Sequence, residues 1–470
     1  MGTTLLLFNY DWDASGFARV AKSLARPVAS RGFDLFSFPS NAQLAWFDMD
    51  RFVNKLAKQA KAQNWTAVAS QHEQFGALAA ALLAEKMGWP GTPSKAVIAC
   101  QHKLHAREIL QQVCPEANIG FTRLPTVYGE PIPAGLHYPN FVKPVKAAFS
   151  VLAKRVHSRE ELQHFTRFGA YELWVIKHLV EPFERITRRV LPQAGTAHSM
   201  ILEEPIHAPQ YCLDGVVFDG ETKALGVVDA VMYPGTQSFM RFDYPSKLPA
   251  DIQARALDIA KKFLIAVGFD YGIFNMEFFY DAITDQLKVI EFNPRMASQF
   301  ADLYLRVDGR DLYAMAMALA LGQNPWALPI AKPSAGAASS FVYRSFDENL
   351  SDADQPQMPS AANLQSLAHE FPDHLLLQFH KAGHSLQRDF KWLGSYRHGI
   401  LHLGGKNAAD LRERCERASR ILGWHVPYLE TLHDASTAQH GHGPISIPVL
   451  STPLTSTPAP STLTPIRLSA

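Results

Sequence analysis

Two short segments, 275–279 and 289–295, place acidic side chains where two strands can pair. Both are rich in aromatic and β-branched residues, which favours strands, and the polar residues between them favour a turn. A hairpin folded about Thr284 sets Glu277 directly opposite Glu291. Carboxylates facing each other at about 5 Å repel, unless a cation lies between them. The pattern therefore predicts either a cation site or an edge hairpin with solvated glutamates.

The neighbouring residues favour the cation site. Side chains alternate along a strand, so Asn293 shares a face with Glu291, and Asn275 shares a face with Glu277. Carboxylate and amide oxygens, with room left for substrate phosphates, are a usual set of ligands for Mg²⁺. A proline ends the second strand because it cannot donate to a sheet ladder. Arg295 follows it, where it could stabilise developing negative charge.

This pattern resembles the signature of the ATP-grasp superfamily, whose late hairpin carries a metal-binding Glu and then a Glu-x-Asn-Pro-Arg run. The resemblance implies that Glu277, Glu291 and Asn293 bind Mg²⁺, with two ions expected and Mn²⁺ as an alternative. It implies that Arg295 is a catalytic contact to a phosphate or acyl-phosphate, and that ATP is a substrate. The resemblance extends over roughly residues 1 to 425.

Two earlier blocks resemble the phosphate-binding segments of the same superfamily. Lys103 lies where the family has an Asp-Lys pair before a helix, although His102 replaces the Asp. Lys143 ends a predicted strand and precedes a proline and a loop. That loop keeps Ser150 but has alanines at 147–148, where glycines are usual. Alone, each block is typical of an exposed helix turn or a basic hairpin; their order along the chain favours ATP binding.

A third block, from a strand at 200–203 into the next strand, resembles the family's adenine-binding linker. The resemblance implies that Glu203 or Glu204 reads adenine, with Glu203 the better fit by spacing, and that Ile206 lies in the linker. Gln210 stands where the family has a ribose-binding Glu. An amide can still accept a hydrogen bond from a hydroxyl group, so ATP binding remains the expectation.

The first hundred residues alternate between strand and helix patterns, which predicts a parallel sheet with helices on its faces. Strands are predicted at 4–8, 33–38, 66–70 and 95–100, and helices at 15–30, after Asp48 and at 73–87. Gly32 is predicted to close the first helix. No Gly-x-Gly-x-x-Gly run follows the first strand, which argues against a dinucleotide site. In its place, Asp13 or Ser15 is predicted to cap the helix or to contact substrate.

A chain of 470 residues is too long for one core, so several domains are expected. The predicted fold class is α/β and α+β multidomain. A Rossmann-like domain is predicted at 1–98 and an ATP-grasp domain at 99–330, in two parts, 99–200 and 201–330. A small carboxy-terminal α+β subdomain is predicted at 331–430. The Ser-, Thr- and Pro-rich tail at 431–470 is predicted to be disordered.

Charge and composition limit the kinds of binding partner and the cellular location that the sequence predicts. Lysine and arginine number 45 against 44 aspartates and glutamates, a formal net charge of +1, which gives no argument for nucleic acid or a membrane surface. No stretch approaches the roughly 20 apolar residues of a membrane span. The 4 cysteines show no metal-ligand spacing, and with the use of Mg-ATP they predict a reducing cytoplasm. Many family members are dimers, so a homodimer is an expectation.

The resemblance implies, as the leading prediction, an ATP-dependent ligase that joins a small-molecule carboxylic acid to an amine through an acyl-phosphate. A kinase-like phosphotransferase and a non-catalytic nucleotide-binding protein remain alternatives, although the complete metal set argues against the latter. By position, Ser298 or Gln299 is expected near the substrate carboxylate. Arg241 is a candidate anion contact, although most such arginine side chains are structural or solvated.

Overall fold

A parallel sheet with flanking helices forms the first part of the chain. The structure, a computed structural model, describes residues 2–35, 39–124, 132–147, 152–346, 358–380, 386, 389–390 and 393–428. The first elements are β1 (Thr3–Leu7), α1 (Asp11–Ser23), β2 (Val28–Arg31), α2 (Met49–Ala60), β3 (Trp65–Ala69), α3 (Gly76–Met87) and α4 (Ser94–Gln101). The strand order is β2-β1-β3, and both pairings are parallel, as predicted.

The second strand lies earlier in the chain than predicted. The helix predicted at 15–30 contains Pro27, which has no amide hydrogen to continue a helix. The helix α1 therefore ends at Ser23, and β2 begins directly after the proline. Gly32 does not close a helix; it follows β2 with a φ of +126°. The strand predicted at 33–38 is wrong for 33–35, and residues 36–38 lie outside the described part of the chain.

The strand predicted at 95–100 is also wrong, because this segment is the helix α4. Pro93 stands at the position before its first turn, where a missing amide hydrogen costs no helical bond. Nearly all of α4 is buried, so its apolar run shows no helical period that would distinguish it from a strand. Cys100 accordingly lies in a buried helix, and all four cysteines are buried free thiols.

The next part contains an antiparallel sheet of four strands, in the order β4-β7-β5-β6. Its elements are α5 (Lys103–Val113), β4 (Phe121–Leu124), β5 (Asn140–Pro144), β6 (Lys154–Val156), α6 (Arg159–Phe165), α7 (Ala170–Val190) and β7 (Met200–Glu203). Pro182 interrupts the hydrogen bonding of α7. In the same stretch Gln74 donates to the carbonyl of Leu179 at 2.7 Å, which ties α7 to the loop after β3.

An eight-stranded sheet carries the predicted metal hairpin at one edge, in the order β12-β11-β8-β9-β10-β13-β15-β14. Its elements are β8 (Gln210–Phe218), β9 (Glu221–Met232), β10 (Phe239–Tyr244), α8 (Ala250–Val267), β11 (Gly272–Asp281), β12 (Gln286–Asn293), α9 (Ala301–Asp308), α10 (Leu312–Ala320), β13 (Ala337–Ser345), α11 (Ala361–Glu370), β14 (Leu375–Gln378), β15 (Tyr396–Gly405) and α12 (Ala408–Leu422). The helix α8 is closed by Gly268, which has a left-handed conformation.

The two faces of this sheet have different surroundings near the hairpin. On one face Phe292 stacks on Phe263 of α8, with ring centroids 3.8 Å apart. Residues next to Phe292 in the strand point to the other face of the sheet. On that face Tyr304 of α9 donates to the carboxylate of Asp214 at 2.9 Å. Asn275, the partner of Asp214 across the strands, shares that face and donates to it at 3.1 Å. The polar side chains of the hairpin therefore lie beneath α9, away from the apolar core around α8.

The segment after Arg295 forms two separate helices, α9 and α10. Gly309 separates α9 from α10 with a φ of +68°, and a Cβ atom there would lie 1.8 Å from the carbonyl oxygen of Ala331. Asp311 then caps α10 by accepting from its first amides. The break is therefore set by close packing that only glycine permits.

The strands of segment 331–430 do not form a sheet of their own. Strands β13, β15 and β14 extend the eight-stranded sheet, and α11 and α12 belong to the same stretch of chain. The mixed α/β character is as predicted, while the boundaries at 98, 330 and 430 stay predictions. In the part of the chain that the structure describes, no helix has the length and apolar content needed to cross a membrane.

Candidate active site

The hairpin reaches the predicted register through a bulge. Glu277 pairs with Glu291 as predicted, but the next pair towards the turn is Phe278 with Val289. Ile290 is thus an extra residue on β12. Without this bulge, the register of the turn would set Glu277 opposite Ile290. The bulge therefore brings the two carboxylates face to face.

The carboxylate of Glu277 is held by amide donors. Gln210 donates from Nε2 to Glu277 Oε2 at 2.8 Å, and Asn293 donates from Nδ2 to Glu277 Oε1 at 3.3 Å. The Nδ2 atom of Asn293 also donates to Asn275 Oδ1 at 3.1 Å. The Oδ1 atom of Asn293 is buried and has no hydrogen-bond donor among the described residues. An unused amide oxygen beside two carboxylates is a donor set that fits a hard cation.

Charges around the hairpin separate the two glutamates. Burial, and then the charge of Glu291, raise the pKa of Glu277 above its usual range. Burial opposes ionisation of Glu291 as well, but the positive charges of Lys103 and Lys143 hold the pKa of Glu291 low. The described residues contain no group of three or more His, Cys, Asp or Glu side chains placed to hold a metal. The hairpin offers two carboxylates and an amide oxygen instead.

Lys103 contacts the hairpin directly. It is the first residue of α5, as predicted, and its Nζ forms an ion pair with Glu291 Oε2. His102 caps this helix, because its Nδ1 accepts from the backbone amide of His105 at 3.2 Å. The two histidines thus have a structural contact in the helix turn that presents Lys103.

Lys143 and Glu203 form a buried ion pair. Lys143 Nζ lies 2.8 Å from Glu203 Oε2, and Arg107 donates from Nε to Glu203 Oε1 at 2.7 Å. Burial lowers the pKa of Lys143. Burial disfavours the charge of Glu203, but Arg107 and then Lys143 lower the pKa of that carboxyl. The carboxylate of Glu203 is therefore already engaged by two cations.

Arg107 is a central residue of this region that the sequence analysis missed. Its Nη1 donates to the carbonyl of Val289 at 2.6 Å, and its Nη2 donates to the carbonyl of Ile290 at 2.8 Å. These are the carbonyls at the bulge of β12. The spacing to Lys103, four residues along one helix, is the signal that could have indicated a shared face.

The other predicted nucleotide contacts lie around the linker after β7. Glu204 is exposed, and its amide donates to the carbonyl of Gly120 at 2.9 Å. Ile206 is partly buried. Gln210 begins β8, and its side chain lies at the β11–β12 hairpin through the contact with Glu277. Ser150 lies outside the described residues.

Arg295 joins the hairpin to the first sheet. Its Nε donates to Glu73 Oε2 at 2.7 Å, and its Nη1 donates to the carbonyl of Met296 at 3.2 Å. Glu73 lies in the loop after β3, although the sequence analysis placed it in a helix starting there; α3 begins at Gly76. The signal was available, because polar residues after a parallel strand lie at the sheet edge where α/β proteins bind ligands.

The remaining candidates have structural contacts. Arg241 pairs with Asp243 at 2.9 Å and lies over the ring of Tyr428 at 4.1 Å. It is adjacent in β10 to Phe242, which packs on Phe300, so Arg241 points to the sheet face opposite the hairpin carboxylates. Gln299 donates to Ser340 Oγ at 2.8 Å.

Asp13 lies in the first turn of α1 and is not its N-cap as predicted, because the helix begins at Asp11 and its N-cap is Tyr10. It accepts from the backbone amide of Tyr10 at 3.3 Å and from the hydroxyl of Tyr313 at 3.2 Å. Ser15 instead donates its hydroxyl to the carbonyl of Trp12 at 3.0 Å. Asp13 is fully buried, and this burial raises its pKa to about 6.

Comparison with known proteins identifies the fold. No family model matches the chain. Over 137 residues the chain is 32% identical to carnosine synthase 1 of Gallus gallus. The matched segment is 28% of this chain and 14% of the length of that relative. The structure superposes on the L-amino acid ligase of Bacillus licheniformis with a TM-score of 0.61 and 16% identity, covering 90% of this chain and 97% of the ligase.

A second solved structure is similar over most of its length. It is the biotin carboxylase domain dimer of 2-oxoglutarate carboxylase from Hydrogenobacter thermophilus, in complex with MgADP, ADP and bicarbonate. The TM-score is 0.56 with 12% identity, covering 89% of each chain. At these identities the likeness concerns the fold, and the chain has the ATP-grasp fold that the sequence resemblance predicted.

Proposed function

We propose that the protein is an ATP-dependent carboxylate–amine ligase. The observation that carries this proposal is the hairpin, where Glu277 faces Glu291 and the orphaned oxygen of Asn293 lies beside them. Lys103 of α5 pairs with Glu291 from another part of the chain, and Arg295 follows the hairpin directly and pairs with Glu73. Acidic ligands and converging cations are what transfer of a phosphoryl group requires.

The donor set at the hairpin fits Mg²⁺. We propose that Glu277, Glu291 and Asn293 hold Mg²⁺, in two ions, with Mn²⁺ as an alternative. When bound, the metal would neutralise charge on the phosphates of ATP. Lys103 is paired with Glu291, so its charge is positioned beside the site. Its desolvation cost is met before the substrate arrives, which is the preorganisation that favours catalysis.

The proposed reaction has two steps. A carboxylate oxygen of the acid attacks the γ-phosphorus of ATP, forming an acyl-phosphate and breaking the bond to ADP. The amine nitrogen then attacks the acyl carbon, phosphate leaves, and the nitrogen loses a proton. Arg295 is proposed to contact the phosphoryl group or the oxyanion of the second step. No side chain forms a covalent bond, so positioning and charge supply the catalysis.

The pair of Glu73 and Arg295 supports an amino acid as one substrate. A carboxylate and a guanidinium in contact, at 2.7 Å, match the opposite charges of an amino acid's ammonium and carboxylate groups. Such a substrate would exchange one internal ion pair for two pairs with the ligand. The relatives named L-amino acid ligase and carnosine synthase agree with this proposal.

The proposed nucleotide contacts match those expected from the sequence, except that the side chain of Glu203 is no longer proposed to read adenine. The side chain of Glu203 is engaged by Arg107 and Lys143, so we propose that adenine is read by backbone groups from Glu204 to Ile206. Lys143 remains a proposed phosphate contact, and Ser150 remains a prediction outside the described residues. Gln210 is proposed to support Glu277 as well as any ribose contact.

The proposal is tested by ADP and phosphate release from Mg-ATP with pairs of amino acids and small carboxylic acids, with amide products identified by mass spectrometry. Release that needs both an acid and an amine, and that Glu291→Ala abolishes, is the expected result. Glu221→Ala is the matched control, because that glutamate lies on β9 of the same sheet with a side chain 65% exposed. Phosphorylated acceptor without free phosphate would overturn the ligase in favour of a phosphotransferase. A cytoplasmic location and a homodimer stay predictions.

A further inference from the structure

Lys146 is a buried lysine beside the proposed site. It lies two residues after the end of β5 and is only 2% exposed. Its Nζ donates to the backbone carbonyl of Glu73 at 3.2 Å and lies 4.9 Å from the ring centroid of Phe183. Among the described residues no carboxylate lies within ion-pair distance of it. A buried ammonium with a carbonyl and an aromatic face as its contacts is incompletely compensated.

The position of Lys146 relates it to both halves of the proposed reaction. On one side, the backbone amide of Lys103 donates to the carbonyl of Val145 at 3.1 Å, so the lysine that pairs with Glu291 is fixed to the residue before Lys146. On the other side, Lys146 contacts Glu73, whose carboxylate holds Arg295. Lys146 thus lies between the proposed phosphate-binding lysine and the proposed substrate pair.

We propose that Lys146 binds the phosphoryl group that passes from ATP to the acid. This proposal rests on the proposed function, in which the γ-phosphoryl group lies between the nucleotide and the acid. An anion at this position would supply the negative partner that the ammonium group of Lys146 lacks among the described residues. The group would be contacted by Lys103, Lys146 and Arg295, one residue from each of three separate segments.

The electrostatics of Lys146 agree with this role. Burial lowers its pKa to about 7. The charges of Glu73 and Glu291 act in the opposite direction, while Lys103 and Arg295 add to the lowering. Much of the ammonium charge is therefore lost near neutral pH in the free protein, and a bound phosphoryl group would restore it. An anionic ligand and this lysine would stabilise each other.

The test compares the binding of Mg-ATP with that of Mg-ADP to the full chain, by titration calorimetry. Only Mg-ATP carries the γ-phosphoryl group. Lys146→Met is expected to weaken Mg-ATP on the order of tenfold or more, and to change Mg-ADP by less than about twofold. Lys146→Arg keeps the charge and is expected to retain the larger part of the preference for ATP, which provides a second variant.

Lys154→Met is the matched control. Lys154 also lies over an aromatic ring, that of Phe165 at 5.7 Å, but its side chain is 51% exposed and pairs with Glu161. It is expected to leave both affinities unchanged. Equal weakening of ATP and ADP by Lys146→Met, or no change in either, would overturn the proposal. An ATP-specific loss in Lys146→Met, together with a wild-type protein that forms no amide, would overturn the ligase and leave the phosphoryl contact standing.

Discussion

Two neighbouring clusters of buried ionisable side chains differ in how fully their carboxylates are paired with cations. The closed cluster consists of Arg107, Lys143 and Glu203, where both carboxylate oxygens of the glutamate accept from a cation at 2.7 and 2.8 Å. The open cluster consists of Glu277, Glu291 and Asn293, where two carboxylates face each other and an amide oxygen has no described donor.

The difference teaches which cluster is expected to hold the fold and which to bind a ligand. Removing an ion from water costs on the order of several kcal/mol unless partners inside the protein offset the lost hydration. The closed cluster has those partners, and it also ties α5 and β7 to the bulge of β12. In the open cluster Glu291 pairs with Lys103, but burial and the charge of Glu291 raise the pKa of Glu277, an unfavourable arrangement that a bound cation would relieve.

The largest effect is expected for activity when the open cluster loses a charge. Glu277→Gln is predicted to lower the ligase rate on the order of 10⁴-fold, because the metal would lose a charged ligand while the shape of the side chain is kept. The free energy of unfolding without metal is expected to change by less than about 1 kcal/mol, because repulsion with Glu291 is relieved. Turnover and urea unfolding measure the two quantities on the same preparation.

The comparison between the clusters would break if this variant lost stability without losing activity. That result would make Glu277 a structural residue of the closed kind. Substitution of the exposed Glu221 on β9 is the control for both the turnover and the unfolding measurement.

The next largest effect is expected for stability when the closed cluster loses its anion. Glu203→Gln leaves Arg107 and Lys143 buried beside a neutral side chain, and it is predicted to lower the free energy of unfolding by about 3–5 kcal/mol. Urea unfolding of the wild-type protein and of Glu203→Gln, with equal m-values, measures the loss of unfolding free energy. The residual activity of the folded fraction is expected to fall much less than for Glu277→Gln.

Glu370→Gln is the control for an ordinary ion pair. Glu370 lies 3.0 Å from Arg417, and the two side chains are 38% and 40% exposed. Solvent screens this pair, so its loss is expected to cost less than about 1 kcal/mol. A cost for Glu203→Gln no greater than this would contradict the assignment of a structural role to the closed cluster.

The open cluster could be predicted from sequence because its residues are local. Glu277 and Glu291 lie on adjacent strands joined by a short turn, and alternation within each strand decides which face they share. The bulge at Ile290 could not be predicted in this way, because the register at the turn differs from the register at the glutamates. The predicted pairing was right, although the turn alone would not have produced it.

The closed cluster could not be predicted because its contacts are long-range. Arg107 meets Glu203 across 96 residues and Ile290 across 183 residues, and no local pattern records such pairs. The same holds for Arg295 and Glu73, which are 222 residues apart. The misplaced second strand has a local cause, since Pro27 was available to end the predicted helix.

The smallest predicted effect tests whether the closed cluster acts on the open one through the bulge. Arg107→Lys keeps a cation for Glu203, but an ammonium cannot reproduce the planar fork that donates to both bulge carbonyls. The bulge is then held less firmly, and Glu291 is less well placed. We expect the Mg²⁺ concentration for half-maximal activity to rise about 10- to 100-fold, the usual cost of losing support behind a metal ligand.

The maximal rate at saturating Mg²⁺ is expected to fall much less, and this separation distinguishes positioning from general destabilisation. Arg306→Lys is the matched control, because Arg306 is also a mostly buried arginine in a helix and pairs with Asp302 and Asp373 at 2.6 Å each. It contacts no carbonyl of the hairpin in the described structure, so the Mg²⁺ requirement is expected to stay unchanged even if stability falls. Equal shifts in the two variants would mean that the Mg²⁺ requirement reports stability alone, and that the bulge does not couple the two clusters.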